Sequence, residues 1–140
     1  MMLKRINNNS IMKESFEIKE TFNAKPSEIY KAWLNSEKHA KMVDGEAECS
    51  SEEGASFTIW DGYIKGKNIS LKPNEEIIQS WRTSEFNEND DDSKVIIRLK
   101  EVNDSTELTL IHSNIPEGQT QYKKGWEDHY FAPMREYFKK

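Results

Sequence analysis

A chain of 140 residues with a single cysteine, Cys49, can form no intramolecular disulfide. A lone thiol is the usage expected of a reducing compartment, so cytoplasm is the expected location. Long hydrophobic runs are also missing, and no window approaches the apolar length of a membrane span. The opening MMLKRINNNSIMK has charge but no apolar stretch of the kind a secretory leader carries. Residues 1–12 read as a disordered lead-in to a single domain over 13–140. Asn-x-Ser sequons at Asn8, Asn68 and Asn103 carry no weight without a secretion route. A cationic surplus is absent as well: the net charge of -5 argues against a general nucleic-acid binder. Metal chemistry lacks its usual spacings, because no CxxC or HExxH occurs and His39, His112 and His129 stand apart in the chain. Glu127-Asp128-His129 does not repair this, since neighbours on a helix point in different directions. No GxxxxGK[ST] phosphate loop and no GxSxG elbow is present, and Cys49 has no adjacent histidine. No metal or nucleotide cofactor is expected.

What the chain does have is aromatic side chains. Four tryptophans and five tyrosines exceed what packing a domain of this length demands. They crowd the last stretch, GQTQYKKGWEDHYFAPMREYFKK. With Thr120 as N-cap, a helical wheel gathers Tyr122, Trp126, His129, Tyr130, Pro133, Met134 and Tyr137 on one broad face, while Lys124, Asp128 and Arg135 point away. Phe131 falls on the wrong side. Such a helix must lie across a concave apolar surface. Gly125 would let its backbone approach a sheet closely, and Pro133 should kink it by removing a hydrogen bond to the carbonyl of His129.

The middle of the chain supplies that surface. Residues 14–23 alternate as a half-buried strand, with Phe16 and Ile18 on one side. Pro26 suits a first helical turn, after which Ile29, Tyr30, Trp33 and Leu34 recur at helical spacing. A second short helix starts with Ser36 as N-cap and ends near Asp44-Gly45. About six short strands follow. Asp61-Gly62 is a strong two-residue hairpin signal with Trp60 and Tyr63 on its shoulders. Strand 76–82 puts Ile77, Gln79 and Trp81 on one face and Ile78, Ser80 and Arg82 on the other. The acidic run EFNENDDD, residues 85–92, must be a loop. Strands 94–102 and 107–112 then lead through Pro116-Glu117-Gly118 into the terminal helix. Short connections make the strands antiparallel. The expected class is α+β: one curved antiparallel sheet wrapped around a long C-terminal helix, with two short helices after the first strand.

Four separated motifs carry a family resemblance. Ala24-x-Pro26 with Ile29-Tyr30-x-Ala32-Trp33-Leu34 opens it. Phe57-x-Ile59-Trp60-Asp61-Gly62-Tyr63-Ile64-x-Gly66 and Ile77-Ile78-Gln79-Ser80-Trp81-Arg82 follow, and Gly125-Trp126 with Tyr130-Phe131 and Pro133-Met134 closes it. Together they resemble the activator of heat-shock protein 90 ATPase homologue family over nearly the whole chain from about Glu14. The resemblance implies the helix-grip, or START-like, fold shared with the birch-pollen allergen and polyketide cyclases. It implies a correspondence to the C-terminal domain of two-domain members, without their separate chaperone-binding domain. It also implies a heat-shock chaperone as a candidate partner.

Trp33, Phe57, Trp81, Trp126 and Tyr130 fall where such a fold places its interior. Either they line a cavity for a small apolar or amphipathic ligand, or they fill a solid aromatic core. His112 ends a strand whose Leu108 and Leu110 face inward, so it joins this set as a ligand-orienting donor, a general base, or a core histidine satisfied by a neighbour. Arg82 lies opposite Trp81, where a surface ion pair is expected; a bulge in the strand would turn it inward toward an anionic head group. Three functions remain open: ligand binding, a co-chaperone contact through a sheet face or helix edge, and a cyclase- or lyase-like enzyme working through His112.

Overall fold

The computed structural model describes residues 13–139, so the lead-in expected over residues 1–12 lies outside the described residues. The chain runs β1 (Glu14–Phe22), α1 (Pro26–Leu34), α2 (Ser36–Val43), β2 (Ala47–Glu48), β3 (Ser56–Ile59), β4 (Ile64–Lys72), β5 (Glu76–Thr83), β6 (Ser93–Val102) and β7 (Ser105–Ile115). A terminal helix follows in three parts: α3 (Tyr122–Trp126), a π-helical turn (Glu127–Phe131) and α4 (Ala132–Tyr137). The strands form one antiparallel sheet in the order β1-β7-β6-β5-β4-β3-β2. Alternation along each strand divides it into two faces. Ile77, Gln79, Trp81, Val95, Ile97, Leu108 and Leu110 point to the helices and are buried, whereas their neighbours in sequence face outward. Roughly 25 cal/mol for each Å² of apolar surface removed from water is what holds sheet and helices together.

Two expected caps move by one residue. Asn35, not Ser36, caps α2, its Oδ1 accepting from the Lys38 N–H at 2.9 Å. Ser36 is thereby freed to bridge to β2's flank, its Oγ accepting from the Cys49 N–H at 2.8 Å and donating to the Cys49 carbonyl at 3.2 Å. Gln121 rather than Thr120 precedes the terminal helix, and no side chain caps it.

The terminal helix departs from an ideal wheel for a physical reason. Pro133 has no N–H to give and its ring crowds the preceding turn. Just before it the helix widens: the Ala132 N–H reaches back to the Glu127 carbonyl, an i→i−5 bond, and the chain stays helical through Phe131 and Ala132. One extra residue per turn shifts the buried stripe by one position. Phe131, which the ideal wheel puts on the wrong side, is therefore fully buried. Tyr137 and His129 come out, and Phe138 goes in against Phe22. The inner stripe is Tyr122, Trp126, Tyr130, then Phe131, Met134, Phe138.

The hairpin between β3 and β4 is wider than a two-residue turn. Ile59 and Ile64 are the last paired residues, and Trp60, Asp61 and Gly62 all take positive φ (53°, 56° and 86°). A tryptophan held there stores on the order of 1–2 kcal/mol. Its ring explains the arrangement, lying so close to Gly45 that a Cβ on that residue would sit 2.1 Å from Trp60 Cδ1. Arg82 faces outward. Its guanidinium donates to Asp92 at 2.9 Å and to the backbone carbonyls of Asn87 and Asp90, which pins the acidic loop. The register slip in β4 lies between Asn68 and Ser70, away from Arg82. The inward anion-holding role for Arg82 is thus excluded by its direction.

Candidate functional site

Between the Trp60–Tyr63 turn and the first half of the terminal helix lies a pocket of about 310 Å³. Trp60, Tyr63, Ile64 and Trp81 form its sheet side; Tyr122, Gly125, Trp126 and Tyr130 form its helix side. Gln121, Lys124, Asp128 and His129 make a polar rim. Lys124 and Asp128 neutralise each other at 2.8 Å, one helical turn apart. The volume stands at the small end of the range for small-molecule sites, and its aromatic walls with few polar groups suit an apolar or amphipathic guest.

Gly125 is the opening. A Cβ built on it would meet nothing within 4 Å, so the helix backbone is not pressed on the sheet there. That corrects the expectation drawn from its sequence position: close approach occurs at Gly66 instead, where a Cβ would fall 1.9 Å from the Ser80 carbonyl oxygen and 2.7 Å from the Phe57 ring.

Behind the pocket the interior is occupied. The indole of Trp126 donates from Nε1 to His112 Nδ1 at 3.0 Å. An indole N–H only donates, so His112 carries its proton on Nε2 and gives it to Ser93 Oγ at 2.9 Å. Ser93 passes its own hydroxyl proton to the Trp81 carbonyl at 2.6 Å. Every polar atom of this chain is satisfied. Burial pushes the His112 pKa down to about 3, so the ring is neutral. With both nitrogens engaged and the ring fully enclosed, it presents no lone pair to the pocket.

A second buried chain holds Tyr130. Its hydroxyl donates to His39 Nε2 at 2.7 Å, and His39 Nδ1–H donates to the Trp33 carbonyl at 2.7 Å, satisfying one of the orphan carbonyls at the end of α1. Burial lowers the His39 pKa to about 4, even against the carbonyl that favours its charged form. The same burial holds the Tyr130 phenol well above its usual range. Tyr122 closes a third link, accepting from Thr83 and donating to Gln119 Oε1, both at 2.7 Å.

Of the residues expected at a site, Trp81, Trp126 and Tyr130 line the pocket. Trp33 lies one ring behind, stacked on Trp126 at 6.2 Å, with its Nε1–H directed at Gln79 Oε1. Phe57 is buried under Gly66 and His112 behind Trp81, neither on the pocket wall. Trp60, Tyr63 and Gly125 were visible as hairpin shoulders and a helix glycine, but not as pocket walls. His39 had a readable signal, since it stands three and four residues before the buried Met42 and Val43 on α2's inner stripe. Cys49 is half-buried, and burial pushes its thiol up to about 11. Among the described residues no cluster of three or more His, Cys, Asp or Glu side chains is poised to hold a metal, and no helix is long and apolar enough to cross a membrane.

A sequence profile described as Activator of Hsp90 ATPase homolog 1-like protein matches residues 23–139. The Activator of 90 kDa heat shock protein ATPase homolog 1 of Homo sapiens is 25% identical over 122 residues, covering 86% of this chain and 36% of that protein. The corresponding homolog of Dictyostelium discoideum is 24% identical over 115 residues, covering 81% and 30%. The chain thus spans about a third of the length of these relatives. Among solved structures, an HSP90 activator from Plasmodium falciparum superposes with a TM-score of 0.78 at 26% identity, over 84% of this chain and 91% of that one. Ara h 8.0201, at 14% identity and a TM-score of 0.70 over 91% and 98%, shares the fold alone. The fold is helix-grip, START-like.

Proposed function

This chain belongs to the family of Activator of Hsp90 ATPase homolog 1-like proteins, and from that premise we propose that it binds a small apolar or amphipathic molecule between the Trp60–Tyr63 turn and the terminal helix. The observation that carries the reading is the empty space facing Gly125, walled by the aromatic rings of Trp60, Trp81, Trp126 and Tyr130. Binding there removes the guest and the walls of Trp60, Trp81 and Tyr130 from water, which is the source of affinity. Gln121 and His129 on the rim are placed to orient a polar end.

Thermal melting with a panel of small apolar amphiphiles tests this. Ligand at a hundred times its Kd stabilises by about 2.7 kcal/mol, a shift of several degrees. Gly125→Leu, which places a side chain in the opening, should abolish the shift. A panel that leaves the melting temperature unmoved, or moves it equally in the variant, rejects the pocket as the site.

A second reading is supported by the relatives' names: a heat-shock chaperone as protein partner, met in the cytoplasm where Cys49 stays a thiol. Here the purified chain should alter the ATPase rate of the purified chaperone. An unchanged rate at saturating concentration, with no complex by sedimentation, removes this reading.

A further inference from the structure

We propose that the outer face of the sheet docks an acidic, apolar-bearing segment of another protein. The strand register places Ile78 beside Ile96 and Ile96 beside Ile111, a continuous apolar row across β5, β6 and β7. At strand spacings of about 4.8 Å this row spans roughly 10 Å at the centre of the face opposite the helices. All three side chains are only half-buried. The row is prolonged on β4, where the register slips between Asn68 and Ser70 and leaves Ile69 without a pairing partner, 53% exposed. Bulges of this kind re-aim side chains, and this one presents an aliphatic group to solvent.

Charge decides the partner. On one flank of the row, Lys67 pairs across Ser80 with Lys94, and Lys65 stands beyond them. On the other, Lys19 lies opposite Thr109. Among the described residues these four lysines are exposed and none has a carboxylate within ion-pair distance. By contrast, Arg82, Arg98 and Lys72 on the same face are each paired. Glu17 beside Ile111, Glu107 beside Lys100 and Glu76 beside Arg98 also lie on this face, but its lysines and arginines outnumber them, so the face is net positive on a protein whose net charge is -5. An apolar centre rimmed mainly by cations, with Glu17 at one end, has the layout of a protein interface and complements a segment that alternates acids with aliphatic side chains. A lipid surface fits less well: among the described residues the outer face offers no aromatic ring to insert. The same lack removes the stacking platform that single-stranded nucleic acid uses.

The test uses the full chain and a fluorescently labelled synthetic peptide rich in glutamate with interspersed leucines. Anisotropy should show saturable binding that weakens with salt, and backbone amide shifts should move at Lys67, Ile78, Lys94 and Ile96 while Tyr63 and Gly125 stay still. The double variant Lys67→Glu with Lys94→Glu should weaken binding about tenfold or more at an unchanged melting temperature. Ile96→Thr, which keeps β-branching and hence the strand, should weaken it less. The proposal is overturned by no measurable binding, by shifts confined to the pocket, or by indifference to the charge reversal. It is equally overturned if phosphatidylserine vesicles or single-stranded DNA bind this face more tightly than the peptide does, or if the lysines instead mediate self-association through the acidic loop. Gly125→Leu should leave peptide binding intact, so this surface and the pocket stand or fall separately.

Discussion

The two halves of the terminal helix are held by different forces. From Phe131, the last residue of the π-helical turn, onward, the buried side chains are Phe131, Met134 and Phe138, with Phe131 tilted against Phe22 at 5.8 Å and Phe138 edge-on to it at 6.3 Å. Up to Tyr130, which lies within that turn, Tyr122, Trp126 and Tyr130 are buried as well, but each is tethered by its polar tip to Thr83 and Gln119, to His112, or to His39. Apolar packing is non-directional and closes any gap it can. Hydrogen bonds fix both distance and direction. The tethered half can therefore stand off from the Trp60–Tyr63 turn and leave the space beside Gly125 unfilled, where hydrocarbon contacts alone would collapse it.

The apolar half is most vulnerable at Phe131, which is fully buried. Phe131→Ala should cost about 3–5 kcal/mol in denaturant unfolding, the range for emptying a well-packed aromatic site. A loss under about 1 kcal/mol would mean the second half is no anchor. Acid should strike the tethered half next. His39 and His112 are neutral in the folded protein with pKa values lowered to about 4 and about 3, against 6.5 unfolded. Lowered folded values mean that the unfolded chain takes up protons first. Stability is therefore fully present above pH 6.5, falls below it, and levels off only as pH passes the folded values. For His39 alone the loss is on the order of 3 kcal/mol. Unfolding free energies measured from pH 7 to 4 check this, and His39→Gln should flatten the slope.

Smaller effects sharpen the contrast. Trp126→Phe keeps the ring but deprives His112 Nδ1 of its donor, and should cost about 1–3 kcal/mol. If it is neutral, the polar chain does not hold the helix. Gly125→Ala should have the opposite sign, stabilising by up to about 1 kcal/mol, because alanine is the better helix former and its Cβ meets no neighbour. Destabilisation there would show that the backbone is closer to the sheet than the geometry says.

Much of this architecture was legible in the residues. Alternation in 76–82 and 94–102 correctly assigned inner and outer faces, and the element order emerged from hydrophobic period and turn chemistry. Phe131 was not legible, because a wheel drawn at a constant period has no way to admit the extra residue that a π turn inserts before Pro133. The pocket was half legible: Trp81, Trp126 and Tyr130 were identified by their aromatic handles. Trp60 and Tyr63 stayed hidden because the Asp61-Gly62 signal assigns them to a tight hairpin, whereas contact with Gly45 holds Trp60 in a left-handed conformation that a local rule cannot foresee. Gly125 has the same composition signal whether it touches a sheet or faces a void. Only the third dimension separates the two.

If polar tethers hold the terminal helix off the Trp60–Tyr63 turn, the space beside Gly125 is open to a guest. A fluorescence titration with 1-anilinonaphthalene-8-sulfonate under native conditions, on the natural chain and on Gly125→Leu, tests it most directly. Saturable one-site binding to the natural chain, lost in a variant that melts no lower, is the predicted result. Equal binding by both proteins, or by neither, contradicts it.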